Sequence, residues 1–285
     1  MRLATIVEAG RMRAALVRGD RFLPIVGPGD ELESIRAIAA GGWPALETIA
    51  SWAEEQPAVA WRTRGDVELG PVIPDPGAIY TIGDNYRPPE AGEDDDSGRP
   101  TAPLVYGKAS TSVAADGATL AWDRAVTDDV DGEVELGIVI GAEAWRVPET
   151  SAMDHVFGFT IVNDISSRDA RLDGDQWLLG KSMPGFCPVG PVIVSADELD
   201  ATDLRLGCTI NGEAIQDGRT SDMRFSIAEI VSFITHHLRL RPGDLIATGT
   251  PVRLSTPPGP DRRLQPGDTV TCWIKGIGEL TTHIA

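Results

Sequence analysis

Asp131-Gly132-Glu133-Val134-Glu135-Leu136-Gly137-Ile138-Val139-Ile140-Gly141 is the stretch of this 285-residue chain on which the fold turns. Its apolar second half, short, β-branched and bounded by glycine, predicts a strand over 134–140 that is buried on both faces. On a strand, side chains two apart share a face and lie roughly 6.6 Å from each other. Glu133 and Glu135 therefore project together, while Val134 and Leu136 turn into apolar packing. Two readings stay open: the solvated face of an edge strand, or a pair of carboxylates that needs a positive partner.

A third acid ends another apolar run, Phe157-Gly158-Phe159-Thr160-Ile161-Val162-Asn163-Asp164. Strand ends gather ligands and catalytic groups, but an Asp there also serves as a helix N-cap, here for a segment at 166–171. As oxygen ligands, Glu133, Glu135 and Asp164 suit a hard cation, Mg²⁺ or Mn²⁺ before Ca²⁺, and not zinc, because no histidine or thiolate lies beside them.

Working outward, strands are predicted over 157–162, 191–194, 204–210, 244–248 and 268–274, each β-branched-rich and bounded by turn residues. Asn211-Gly212 reads as a hairpin turn. Ser226 and Glu229 form a capping box opening a helix over 226–238. The fold class is α+β, mainly β, a mixed β-roll or barrel-like sandwich. At the N-terminus, the first 26 residues read as short strands turning at Ala9-Gly10 and Gly19-Asp20. Helices at 31–40 and 44–55 follow, separated by Gly41-Gly42. Pro71, Pro74 and Pro76 mark a linker, so a small α+β module over 1–70 precedes a catalytic domain over 71–285. Residues 92–100, polar and acidic, read as an exposed loop within a lid segment at about 84–102.

The balance of 43 Asp and Glu against 25 Lys and Arg, formally −18, argues against nucleic acid or an anionic membrane as partner. Five of the acids fall in 90–96 and five in 128–135, so much of the excess is local. Cys187, Cys208 and Cys272 form no CxxC pair and point to a reducing compartment. The N-terminus lacks the apolar core of a signal peptide and no run is long enough to span a membrane, so a cytoplasmic location is expected. Gly174 to Ser182 resembles a phosphate loop but has five residues between its glycines where four are required. GxSxG, HExxH and GxGxxG do not occur.

The stretches 133–141 and 156–169, Gly180-Lys181-Ser182 with 187–191, 211–223, 240–251 and 276–278 resemble, in order and spacing, the fumarylacetoacetate hydrolase (FAH) family. The resemblance covers roughly 76 to 285. It implies a mixed β-roll, usually in a homodimer, and a divalent-metal-dependent enzyme acting on 2-oxo or β-diketo acids. By matching position it assigns Glu133, Glu135 and Asp164 as metal ligands and Arg168 and Lys181 as catalytic cations. Thr250, Tyr86 and Lys108 become substrate contacts. Asp84 matches a further acidic ligand of some members and is a candidate fourth. Read without the resemblance, Arg168 is a partner for Asp169 or the acidic cluster, and Lys181 a surface lysine.

The chain departs from the family at the lid. Hydrolytic members place a water-activating histidine three or five residues after an Asn-Tyr or Phe-Tyr pair, here Asn85-Tyr86, where this chain has Pro89 and Ala91. Glu90 and Glu93 are nearby substitutes. Arg171 stands where glutamine is common, and Pro184 where aspartate is. The expected reaction is acylpyruvate-type C–C hydrolysis. Decarboxylation or keto-enol isomerisation of a 2-oxo acid is the alternative that best survives the missing base. A non-catalytic binding protein is the reading from another class.

Overall fold

The computed structural model describes residues 1–27, 32–88, 99–169, 176–254 and 263–285. The expectations for the acidic loop at 92–98, and for Pro89, Glu90, Ala91, Glu93 and Arg171, lie outside the described residues.

Val134–Ile140 is a strand with every residue buried. Both faces are covered because alternate side chains enter different cores. Val134, Leu136, Ile138 and Ile140 pack with Cys208, Val270 and Cys272, whereas Val139 packs with Ile35, Ile49 and Leu245. Antiparallel neighbours flank it, Val156–Asn163 on one side and Leu245–Ala247 on the other.

This strand sits well inside a mixed sheet of twelve strands among the described residues. Its path runs Arg62–Thr63, Arg21–Pro24, Arg11–Arg18, Arg2–Glu8, Cys187–Ser195, Val156–Asn163, Val134–Ile140, Leu245–Ala247, Ile79–Gly83, Leu104–Lys108. The pairing of Leu245–Ala247 with Ile79–Gly83 is parallel. A second sheet, Glu213–Arg219, Arg205–Ile210, Thr269–Ile274, Gly278–Ile284 and Ala118–Leu120, packs against the first. The fold is mainly β with mixed sheets, as expected, but among the described residues the larger sheet is open at both ends and no barrel closes.

The N-terminal strands prolong the main sheet, since Arg2–Glu8 pairs with Cys187–Ser195 through Arg2 and Val194, Leu3 and Ile193. Helix Ile35–Glu54 covers them and is broken at Gly42, whose φ of 56° and ψ of −145° leave the helical region. That break is the one marked by Gly41-Gly42. The hairpin turn has Asn211 at φ 53° and Gly212 at φ 82°, the double positive φ of a type I′ turn. Helix Ile227–His237 carries the reciprocal Ser226/Glu229 capping box. No helix among the described residues is long and apolar enough to cross a membrane.

Close backbone approach in the main sheet depends on Gly158, where a Cβ would lie 2.3 Å from the Val194 carbonyl oxygen. Backbone cannot yield as a side chain can. Gly158→Ala is expected to lower stability by about 3 kcal/mol, read as a drop in the urea unfolding midpoint at unchanged slope.

Candidate metal centre and substrate cavity

The pairing of Val134 with Asn163 brings together acids far apart in sequence. The Asp164 N–H donates to the Glu133 carbonyl at 2.9 Å, and the Glu133 N–H to Asn163 Oδ1 at 3.2 Å. Glu133, Glu135 and Asp164 thereby each offer a carboxylate oxygen within 4.8 Å of the others'. Glu135 and Asp164 are fully enclosed, at 2% and 0% exposure. The solvated edge-strand reading of the two glutamates is therefore set aside. The helix that Asp164 would cap is replaced by a two-residue strand, Ser166–Ser167, paired with Val130–Asp131.

Two buried lysines grip Asp164. Lys108 Nζ donates to Oδ1 at 2.5 Å and to the Ile165 carbonyl at 3.1 Å. Lys181 Nζ donates to Oδ2 and to Ser166 Oγ. Burial pushes the Asp164 carboxyl up, but the charges of Lys108 and Lys181 outweigh it and hold the group well below the ordinary range. Lys181 is not a surface lysine, since it is buried and its ammonium is kept charged against burial by Asp164, Glu133 and Glu135.

Arg168 pairs with the acidic cluster rather than with Asp169. Its Nε donates to both oxygens of Asp131 and its terminal nitrogen to Glu133. Asp169 instead accepts from Thr127 and Ser167. Arg253 joins from the other side, reaching Asp131 Oδ2 at 2.9 Å and the Gly132 carbonyl at 3.3 Å. Burial, then the neighbouring Glu133 charge, pushes the Asp131 carboxyl up to about 6, against the pull of Arg253 and Arg168.

Glu135 has the least compensation. Its Oε2 accepts the Gly249 N–H at 2.7 Å. Burial and then the charge of Asp164 raise its carboxyl well above the usual value, and Lys181 only partly opposes them. A carboxyl raised in this way, between two others, either holds a proton or takes up additional positive charge. An all-carboxylate set with no histidine or thiolate in the cluster fits a hard divalent cation such as Mg²⁺, Mn²⁺ or Ca²⁺.

A cavity of about 350 Å³ opens onto this cluster. Asp84, Tyr86, Glu133, Glu135, Arg168, Lys181, Thr250 and Arg253 line its polar side. Asp84 has a left-handed backbone, φ 51°, and stays outside the three-carboxylate cluster. Lys108 lies behind Asp164 and is not among the lining residues. The Tyr86 hydroxyl is buried and faces the Thr248 hydroxyl without a well-formed hydrogen bond among the described residues; burial, then Glu135, raises its pKa, and Thr248 opposes the rise. Thr250 Oγ1 donates to the Val134 carbonyl at 2.7 Å and accepts from Gln216 Nε2 at 2.7 Å, so its hydroxyl proton is already committed. Among the described residues no histidine lines the cavity.

Sequence reasoning missed Asp131 and Arg253 as the second ion cluster, and Gln216 as the clamp joining Val134 to Thr250 and Pro251. It also missed the apolar wall of Leu104, Tyr106, Trp177 and Val252. Asp131 carried a usable signal as a further acid two residues before Glu133 in the same short stretch.

Comparison with known proteins places these observations. The family described as fumarylacetoacetate (FAA) hydrolase, C-terminal, matches residues 78–285. An uncharacterised protein of Staphylococcus aureus strain USA300 is 40% identical over 221 residues, spanning 77% of this chain and 73% of its own. Fumarylacetoacetate hydrolase from psychrophilic Exiguobacterium antarcticum superposes with a TM-score of 0.86 at 28% identity, over 100% of this chain and 99% of that one. 5-Carboxymethyl-2-hydroxymuconate delta-isomerase from Mycobacterium smegmatis gives a TM-score of 0.76 at 28% identity, over 100% and 99%.

Proposed function

From the premise that the chain belongs to the fumarylacetoacetate hydrolase family, we propose a divalent-cation-dependent enzyme that draws a small 2-oxo acid through its enolate. The observation that carries this reading is the Glu133, Glu135 and Asp164 cluster opening onto a cavity that also presents Lys181 and Arg168. A divalent cation held by those three residues supplies Lewis-acid polarisation to a substrate's carboxylate and 2-oxo group.

The chain's own residues supply the rest. When a bond to C3 breaks, its electron pair moves toward C2 and the negative charge grows on the 2-oxo oxygen. Lys181 is held rigid by Asp164 and Ser166, and Arg168 by Asp131 and Glu133, so both charges are in place before reaction. Tyr86 adds a buried hydroxyl to the cavity lining.

Decarboxylation needs no more than this, since CO₂ leaves and the C3–C4 electron pair passes into the enolate; keto-enol isomerisation needs in addition a base to take the C3 proton. Acylpyruvate hydrolysis is the second reading, and C–C hydrolysis in general accords with the name of the Exiguobacterium protein, a fumarylacetoacetate hydrolase. It additionally needs a base to activate water, and no histidine lines the cavity among the described residues. A homodimer accords with the family resemblance and is checked by sedimentation; a cytoplasmic location accords with the three unpaired cysteines and is checked by fractionation.

The test assays oxaloacetate decarboxylation, solvent-deuterium exchange at C3 of pyruvate, and acylpyruvate cleavage, each with Mg²⁺ or Mn²⁺. Activity on at least one is expected, abolished by EDTA and restored by the cation. If wild type and a Glu133→Ala/Glu135→Ala variant share one background rate on all three, the enzyme reading fails and a binding protein remains. Preferential acylpyruvate cleavage would favour hydrolysis.

A further inference from the structure

Resting on that functional reading, we infer that Gln216 is a positioning residue for the metal ligands, acting with the Thr250 hydroxyl to fix the backbone of Val134, the residue between Glu133 and Glu135. Strand Val134–Ile140 bonds toward Leu245–Ala247 through its even-numbered residues: the Ile140 N–H donates to the Asp244 carbonyl at 2.9 Å, and the Leu136 carbonyl accepts the Thr248 N–H at 3.0 Å. Val134 is the next residue on that side. There the opposing chain turns at Gly249, φ 91°, and Val134 meets two side chains in place of a strand. Gln216 Oε1 accepts the Val134 N–H at 3.0 Å, and Thr250 Oγ1 donates to the Val134 carbonyl at 2.7 Å.

Donor and acceptor chemistry fixes every direction in this network. The Val134 N–H can only donate and the Pro251 carbonyl can only accept, so the Gln216 amide turns its oxygen to Val134 and its nitrogen to Pro251, at 2.8 Å. The second N–H of that nitrogen goes to Thr250 Oγ1 at 2.7 Å, which sends the Thr250 proton to the Val134 carbonyl. Val134 and Gln216 are both buried, so a partner lost here is not made good by bulk water. Glu133 and Glu135 share a face only while the Val134 backbone stays extended. Gln216 belongs to Glu213–Arg219 of the second sheet, and through it the ligand strand is tied to both sheets. Outer-shell bonds of this kind tune metal affinity without touching the ion. The family resemblance gives Thr250 to the substrate, whereas here its hydroxyl proton serves the ligand strand.

Calorimetric titration with Mn²⁺, with no 2-oxo acid present, reads this role apart from turnover. Thr250→Val removes the hydroxyl and keeps the shape, and is expected to bind Mn²⁺ about tenfold more weakly than wild type, as is Gln216→Met. Thr250→Ser keeps the hydroxyl and is expected to bind as wild type does. A contribution from packing alone would reverse the two Thr250 variants, since serine loses the methyl group and valine does not. The Gln216→Met/Thr250→Val double variant should fall well short of the roughly hundredfold loss that independent effects would give, because both residues act through Val134. Wild-type Mn²⁺ affinity in Thr250→Val overturns the inference and leaves the functional reading standing, as does a serine variant no better than the valine one or a double variant showing the full product. The Thr250 pair decides the matter even if Gln216→Met does not fold. No Mn²⁺ binding by the wild type overturns the functional reading and this inference together.

Discussion

Glu135→Gln is expected to lower turnover about 10³-fold and to abolish Mn²⁺ binding, while making the cation-free protein harder to unfold at neutral pH. The two effects have one cause. Glu135 is buried beside Asp164 and Glu133, and its carboxyl is raised well above the usual 4.5. A group that holds its proton more tightly when folded costs stability as pH rises from its unfolded value through its folded one. Glutamine keeps the shape and an acceptor for the Gly249 N–H but carries no charge. Urea midpoints measured in EDTA should therefore fall for the wild type between pH 5 and pH 8, and fall less for Glu135→Gln. Parallel curves would show that Glu135 is compensated in the cation-free protein. The site would then have no built-in charge deficit for a cation to fill.

What could be read in advance follows the range of the interaction. Glu133 and Glu135 were legible because strand geometry places them on one face whatever surrounds the strand. The Ser226/Glu229 box, the Asn211-Gly212 turn and the helix break at Gly41-Gly42 are equally local, each decided within four residues. Asp164 was legible as an acid at a strand end, but its partners were not. Lys108 and Lys181 reach it from 56 and 17 residues away. The Ser166–Ser167 strand is set by pairing with Val130–Asp131, and that pairing overrides the helix that the local residues 166–171 favour. The apolar wall was out of reach for the same reason. Leu104 and Val252 belong to segments brought to one cavity by the Leu245–Ala247, Ile79–Gly83 and Leu104–Lys108 pairings, which no local pattern announces.

Asp164→Asn, one cluster position away, is expected to act in the opposite direction on the fold, lowering stability by about 3–5 kcal/mol, a large share of the net stability of a typical domain. Removing this carboxylate leaves two ammonium groups, Lys108 fully enclosed and Lys181 nearly so, with their shared counter-ion gone. The sign differs from Glu135 because Asp164 is the compensated member of the cluster. Its folded pKa is depressed, so its stabilisation is present above the unfolded value of 3.8 and is lost as pH falls through the folded one. Adding Lys108→Met to Asp164→Asn removes one of the stranded charges and should recover about half of the loss. Urea unfolding of the single and double variants in EDTA reads this directly. No recovery in the double variant would mean that the aspartate's contribution lies in its packing and not in the lysines it holds. Together the two substitutions separate the roles within one metal-ligand set: Asp164 anchors the site to the fold, and Glu135 keeps it short of positive charge.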